Sequence, residues 1–345
     1  GLGVVYKSQL LAFAEDDAGG LMSPRFARVR PTMTVDEAIL YLRRQADKRL
    51  ETIYYGYVLD QEQKLLGVVS FRDLFQAKGT SLVRDVMHTD LVTVPEDMDQ
   101  ERVSAVFAEQ DLTAIPVVDG TGRMRGIVTV DDIVDVVQEE ATEDIHKIGG
   151  TEALEAPYLE VGLREMLRKR AGWLVALFLA QFFTAAVISR FEGLILQVAV
   201  LAAFIPLIMS SGGNSGSQAT TLVIRSLALR EVRLTDWVRV LRRELLVGLS
   251  LGLVLGAIAV GRVVLLPLEV EEGVRPLALG LTIGCSVVGV VLWGTFSGSM
   301  LPFLLRKVGL DPASASAPLV ATLVDLVGLM IYFVVAGYWL SDVLH

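Results

Sequence analysis

Five long stretches in the second half of this chain carry almost no charge, a pattern that soluble cores rarely supply. Residues 171–189, 193–224, 245–261 and 276–305 contain no Asp, Glu, Lys or Arg, and residues 318–340 contain one, Asp325. A bilayer core about 30 Å thick takes roughly 20 apolar residues of helix. Each run is therefore long enough to cross it. The expected fold of residues 170–345 is an all-α membrane domain of five transmembrane helices, at about 171–189, 194–224, 245–266, 277–303 and 318–340. The other half is a different material. Residues 1–170 hold 30 acidic against 20 basic side chains, and residues 171–345 hold 10 against 11. An apolar share of 52% excludes a disordered chain. The acidic balance argues against a nucleic-acid partner, because phosphate contacts need clustered Lys and Arg. A single cysteine, Cys285, excludes a disulfide scaffold. Residue 1 is Gly, so the chain reads as a piece of a longer one.

Lys and Arg in short loops set orientation. Arg164, Arg168, Lys169 and Arg170 precede the first run. Arg225, Arg230, Arg233, Arg239, Arg242 and Arg243 lie between the second and third, and Arg306 and Lys307 between the fourth and fifth. The loop between the third and fourth is acidic, with Glu269, Glu271 and Glu272. All four signals put the N-terminal half in the cytoplasm and the C-terminus outside, in the cell (inner) membrane.

Two runs are unusual. Residues 193–224 contain Pro206 and then Ser210-Ser211-Gly212-Gly213-Asn214-Ser215-Gly216-Ser217-Gln218. Such a segment predicts a broken or unwound helix of the kind that marks ion sites, with Asn214 and Gln218 as polar candidates. Close helix packing through small residues is the alternative. Asp325 lies about seven residues into its run, roughly 10 Å along a helix. A carboxylate there costs on the order of 2.5–3.5 kcal/mol to insert. No Lys or Arg in the runs is placed to pair with it, so it fits a cation path. The absence of neighbouring His, Cys or Met favours a hard ion.

The first half is an internal repeat over 21–79 and 86–138. Its closing motifs, Gly67-Val68-Val69-Ser70-Phe71-Arg72-Asp73 and Gly126-Ile127-Val128-Thr129-Val130-Asp131-Asp132, lie 59 residues apart. Each copy reads as helix, strand, turn, strand, helix, with buried strands before Asp60 and Asp119 and with Ser70 and Thr129 as N-cap candidates. These residues resemble an α/β CBS-domain pair (a Bateman module). In that family the Ser/Thr and Asp contact an adenosine ribose or phosphate. The resemblance implies Ser70, Asp73, Thr129 and Asp132, with Asp131 beside it, as nucleotide contacts. Plain helix capping is the other reading of the motif. A hydroxyl and backbone donors at a helix N-terminus suit phosphate. Tyr54 or Tyr55 could stack on a base and Arg72 could meet phosphate.

Residues 99–144 carry 12 acidic side chains and only three basic ones, Arg102, Arg123 and Arg125. From Asp131 to Asp144 acids recur at i, i+4, which destabilises a helix unless a cation intervenes. Divalent cations bind through carboxylates and water. The stretch reads as a cation sensor, against the plainer reading of a solvated acidic face. The connector over 139–169 reads as a helix running on into the first span, interrupted by Gly149-Gly150 and Pro157.

A CBS pair, an acidic connector and five spans together resemble the MgtE family of magnesium channels over nearly the whole chain. The most specific parts are 139–145, Gly212–Gln218, Asp311-Pro312 and 318–325. The resemblance implies residues 21–80 and 81–138 as the two CBS domains, 139–169 as an acidic plug helix, and 1–20 as a linker or a remnant of the acidic helical domain that members carry ahead of the pair. It implies a homodimer with the pore on its axis, Asp325 holding hydrated Mg²⁺ and the Ala321 backbone nearby. It also implies cytoplasmic Mg²⁺ ligands at Asp311, Asp99, Glu101, Asp111, Asp132, Asp135, Glu140, Glu143 and Asp144, and ATP contacts near Tyr55, Arg72 and Asp73. The expected function is a Mg²⁺-selective channel that closes when internal Mg²⁺ is high, with ATP as a candidate modulator. The alternative is transport of another divalent ion, such as Mn²⁺ or Co²⁺. An enzyme is not expected. A membrane metalloprotease would need a motif such as HExxH, and His88, His146 and His345 are the only histidines.

Overall fold

A computed structural model describes residues 13–14, 16–46, 50–52, 54–154, 156–266 and 275–340. The acidic loop with Glu269, Glu271 and Glu272 and most of residues 1–20 lie outside them. The chain divides into two compact units, Gly1–Ala141 and Thr142–His345.

The first unit holds two copies of one three-stranded arrangement. In the first, β1 (Arg28–Val29) pairs parallel with β2 (Tyr55–Leu59), which pairs antiparallel with β3 (Leu65–Ser70). In the second, β4 (Val94–Pro95), β5 (Ala114–Val118) and β6 (Met124–Thr129) repeat the order. Even the register irregularity recurs, at Val58/Leu59 and at Val117/Val118. The short α1 (Ala18–Leu21) leads into the first copy. Helices α2 (Val35–Ala46) and α3 (Phe71–Gln76) flank the first sheet, and α5 (Gln100–Gln110) and α6 (Val130–Ile148) the second. The four-residue α4 (Val83–Val86) links the copies. The expected strands before Asp60 and Asp119 are β2 and β5, and both are buried.

The motif glycines have a steric cause. The segment ahead of each copy hydrogen-bonds to the last strand of the other: Ser23 with Ile127, and His88 with Val68, at 2.8–2.9 Å. This exchange lays Met87 on Gly67 and Met22 on Gly126. A Cβ at either glycine would lie within 3 Å of a methionine sulfur. Phe26, Tyr57, Leu59, Met124 and Ile127 form a shared core between the copies.

Among the described residues the second unit contains five long helices: α7 (Leu163–Arg190), α9 (Val200–Ala228), α10 (Trp237–Leu265), α11 (Pro276–Lys307) and α12 (Ala317–Trp339), with the short α8 (Glu192–Gln197) before α9. Four meet the length and apolarity needed to cross a membrane, namely α7, α10 with the turn before it, α11 and α12. The polar run 210–221 dilutes α9, which is nonetheless 29 residues long and packs against α11 and α12. Outward apolar side chains such as Phe178, Phe182 and Phe183 on α7 are exposed, as lipid-facing positions are.

Two expectations need correction. The Gly/Ser/Asn segment does not break its helix, because α9 is continuous from Val200 to Ala228. The break in the 193–224 run falls earlier, at Val198 and Ala199. Glycines in a helix cost up to about 1 kcal/mol each, but here they admit neighbouring helices. A Cβ at Gly294 of α11 would collide with the Gly212 carbonyl, and one at Gly298 with the Gly216 carbonyl. Hydroxyls close the gap: Ser215 meets Thr295 at 2.8 Å and Thr220 donates to the Gly298 carbonyl at 2.9 Å. The connector, for its part, is interrupted at Gly149-Gly150 and Pro157 as expected, but it does not run on as helix between them into the first span. α6 stops at Ile148 and α7 starts at Leu163. Gly150 adopts φ +75°, a left-handed C-terminal turn, and a Cβ there would press on Trp173.

Gly294→Val should therefore force α9 and α11 apart. We expect a loss of roughly 1–3 kcal/mol, read as a lower midpoint in thermal unfolding of the detergent-solubilised protein. Gly337→Ala, where a Cβ meets nothing within 4 Å, should leave the midpoint unchanged or raise it.

Candidate functional site

Asp325 sits in the middle of α12, half-buried. The Gln181 amide of α7 donates to its carboxylate at 3.4 Å. Gln181 escaped the sequence reading, although an amide in an otherwise apolar run was its available signal. Ala321 lies one turn before Asp325, and α9 approaches α12 there. A Cβ on Gly213 would touch the Ala321 methyl at 3.6 Å, Gly212 abuts Val324 and Gly216 abuts Val320. Asn214 and Gln218 lie one turn apart on α9 and are exposed within this chain. The Asn214 amide donates to Ser210 at 3.2 Å. The structure thus brings the polar segment of α9 against residues 317–324 of α12. An open groove of about 460 Å³, lined by Leu174, Val175, Leu177, Phe178, Gln181 and Thr322, runs beside them.

The start of α12 is fixed by Ser316. Its hydroxyl accepts from the Leu319 N–H at 3.3 Å and from the Trp173 indole at 3.0 Å. Just before it, Asp311 caps the turn Pro312–Ser314, accepting from Ala313 N–H at 2.8 Å. The other Asp311 oxygen accepts from the Lys147 ammonium at 2.6 Å, and Lys147 also pairs with Glu143 one turn earlier on α6. Glu143 is therefore compensated, contrary to the expectation for this acidic tail, because a base lies four residues beyond it. Burial alone would depress the Lys147 ammonium. Hydrogen bonds and charge from Asp311 and Glu143 outweigh that and hold it well above the ordinary lysine value. A raised lysine contributes its stability in full below the ordinary value and loses it only as pH climbs past the raised one. The contact is thus indifferent to pH near neutrality.

The remaining acids are dispersed. Asp99 caps α5, accepting from Glu101 N–H at 3.0 Å. Asp111 ends α5 in the left-handed region. Glu140 accepts from the Gln100 amide. Asp131 and Asp135 are exposed and Asp144 is half-buried on α6. Among the described residues no three His, Cys, Asp or Glu side chains converge to hold a metal.

In the repeat, Ser70 caps α3 in a reciprocal box with Asp73. Thr129 makes the corresponding contacts to Asp132, through its hydroxyl and its N–H. The sequence reading placed the Ser70 cap correctly, and Thr129 stands just before α6 as expected. His88 adds a contact to Asp73 at 3.2 Å. Burial works to raise the Asp73 carboxyl, but the Ser70 hydroxyl and N–H, and then His88, hold it below the usual carboxylate value. Thr113 donates to the Tyr55 hydroxyl at 3.2 Å, joining the second copy to the first, and Arg72 is exposed.

The profile of the MgtE family, described as a divalent cation transporter, matches residues 205–335, and the CBS-domain profile matches 18–79 and 83–139. Among curated relatives, the magnesium transporter MgtE of Thermus thermophilus is 45% identical over 97% of this chain and 72% of its own length. This chain belongs to the MgtE family. The MgtE of Enterococcus faecalis is 35% identical over 96% of this chain and 71% of that protein. A crystal structure of the cytosolic domain of the Mg²⁺ channel MgtE in complex with ATP is 48% identical, covers 37% of this chain and 52% of that one, and has a TM-score of 0.37. As an MgtE protein the chain is a transporter homologue built from a CBS pair and a helical membrane region.

Ser316→Ala removes a helix cap and takes the acceptor from a half-buried indole N–H. It should cost about 1–2 kcal/mol in denaturant unfolding, and Ser316→Thr should recover most of the loss.

Proposed function

We propose that this MgtE protein is a Mg²⁺ channel of the cell membrane, assembled as a homodimer and closed by cytoplasmic Mg²⁺. The observation that carries this reading is Asp325. It is a carboxylate inside an apolar helix, and among the described residues the neutral Gln181 amide is the side chain that hydrogen-bonds it. A carboxylate at that depth needs water or a cation. Mg²⁺ gives up its water reluctantly and is held through one or two carboxylates, so an Asp325 from each of two subunits suits a hydrated ion. The polar groups proposed for the path are the Gln181 amide on Asp325, the Ala321 backbone one turn before it, and Asn214 and Gln218 on α9, oxygen and nitrogen groups that suit a hard ion better than a soft one.

Gating follows from the other half. Asp131, Asp132, Asp135, Glu139 and Glu140 lie on α6, and Asp99, Glu101 and Asp111 lie on or at the ends of α5 in the same unit. Each uncompensated like-charge pair one turn apart costs about 0.2–0.5 kcal/mol. Hydrated Mg²⁺ between two such surfaces relieves that repulsion and holds the subunits together. When Mg²⁺ falls, repulsion separates them and the connector moves. Tyr55, Ser70, Arg72, Asp73, Thr129 and Asp131 form the site for ATP. The basic loops keep the CBS pair in the cytoplasm and the C-terminus outside.

In liposomes with a set membrane potential, Asp325→Ala should reduce Mg²⁺ flux at least tenfold while leaving the protein folded. Wild-type flux should fall when Mg²⁺ is loaded on the side of the CBS pair. Normal flux through Asp325→Ala would refute the pore assignment, and flux that ignores that Mg²⁺ would refute the gating.

A further inference from the structure

We propose that Lys147 is a tethered cation that latches the end of α6 to the turn ahead of α12 without any dissolved ion. This rests on the gating reading and divides its parts. The ammonium stands between two carboxylates, Asp311 at 2.6 Å and Glu143 one turn back on its own helix. Asp311 cannot swing away, because its other oxygen caps the turn Pro312–Ser314. The contacts around the latch lead to the same place. Ile148 packs with Ile224, Ala313 and Ala315. Gly150 lies against Trp173 and Pro318, and the Trp173 indole donates to Ser316, the cap of α12. All these residues belong to one compact unit.

The charge count explains why a lysine matters here. Two carboxylates with no cation between them repel, and the helix end would lift from the turn. A free ion could fill that place only in proportion to its concentration. A side chain four residues from Glu143 fills it at a high effective concentration that is always present. Any divalent cation that reaches both carboxylates has to displace it first. The end of α6 is therefore the permanent hinge of the gate. Ion sensitivity is left to the exposed carboxylates earlier on the helix, Asp131 and Asp135 among them.

The test is limited proteolysis of residues 149–162 in the purified full chain, reconstituted in nanodiscs. In EDTA, Lys147→Met should be cut at least fivefold faster than wild type, and millimolar Mg²⁺ should return it to within twofold, because the emptied pair then takes a divalent ion. Lys147→Arg should behave as wild type. Lys147→Met together with Asp311→Asn should be cut fast with or without Mg²⁺. Wild-type cutting of Lys147→Met in EDTA, or fast cutting that Mg²⁺ does not slow, overturns the proposal. Glu143→Gln, which leaves the Asp311 arm in place, provides a milder variant should Lys147→Met not fold. It should be cut at an intermediate rate, and a wild-type rate would count against the latch. Flux measured in parallel separates the two ideas. A channel that ignores internal Mg²⁺ sinks the gating reading and leaves the latch standing.

Discussion

The membrane unit is organised around the backbone-to-backbone approach of α9 and α11. Lipid tails are as apolar as leucine, so apolar side chains give helices no reason to prefer one another in a bilayer. Shape and hydrogen bonds must supply that preference. Gly212 and Gly216 face Gly294 and Gly298 at distances that no side chain would permit. Ser215, Thr295 and Thr220 then bond across the narrow gap. A second seam, Gly248, Gly252 and Gly256 on α10, sets that helix against Thr295, Val288 and Gly284 of α11. Because α12 rests on the same face of α9 through Val320 and Val324, the position of Asp325 is inherited from these glycines.

Much of this was legible in the sequence, and the misses share a cause. Charge-free runs and a 59-residue repeat are patterns within the chain, and they located the long helices, the buried strands and the Ser70 cap. The polar segment of α9 misled because composition cannot tell a helix that is weak alone from one supported by neighbours. Its glycines are costly in an isolated helix and required in a packed one. Lys147, Gln181 and His88 were missed for a related reason. Each acts on a partner that the fold delivers, at 164, 144 and 15 residues' separation, and a local pattern such as the amide of Gln181 in its apolar run does not name that partner.

The acidic first half and the near-neutral second half meet in α6, and the chemistry of that helix changes along its length. Its early carboxylates are exposed on the CBS unit. Its last turns belong to the membrane unit, where a lysine and an isoleucine hold it. The described residues of 149–162 after it contain no helix, so the end of α6 is tied to the turn ahead of α12 by side-chain contacts and not by a continuous helix into α7.

The exchange of edge segments between the two CBS copies also bears on how the chain is made. Ser23 finds its partner 104 residues later, at Ile127, and Val68 waits for His88. Neither copy can close its sheet from its own residues. A nascent first copy leaves the Gly67–Val69 edge open, an invitation to wrong pairing, until translation has passed His88. Pairings this distant in sequence are slow to form. Until the second copy is made, this chain's assembly depends on its not meeting another copy of itself in the same unfinished state.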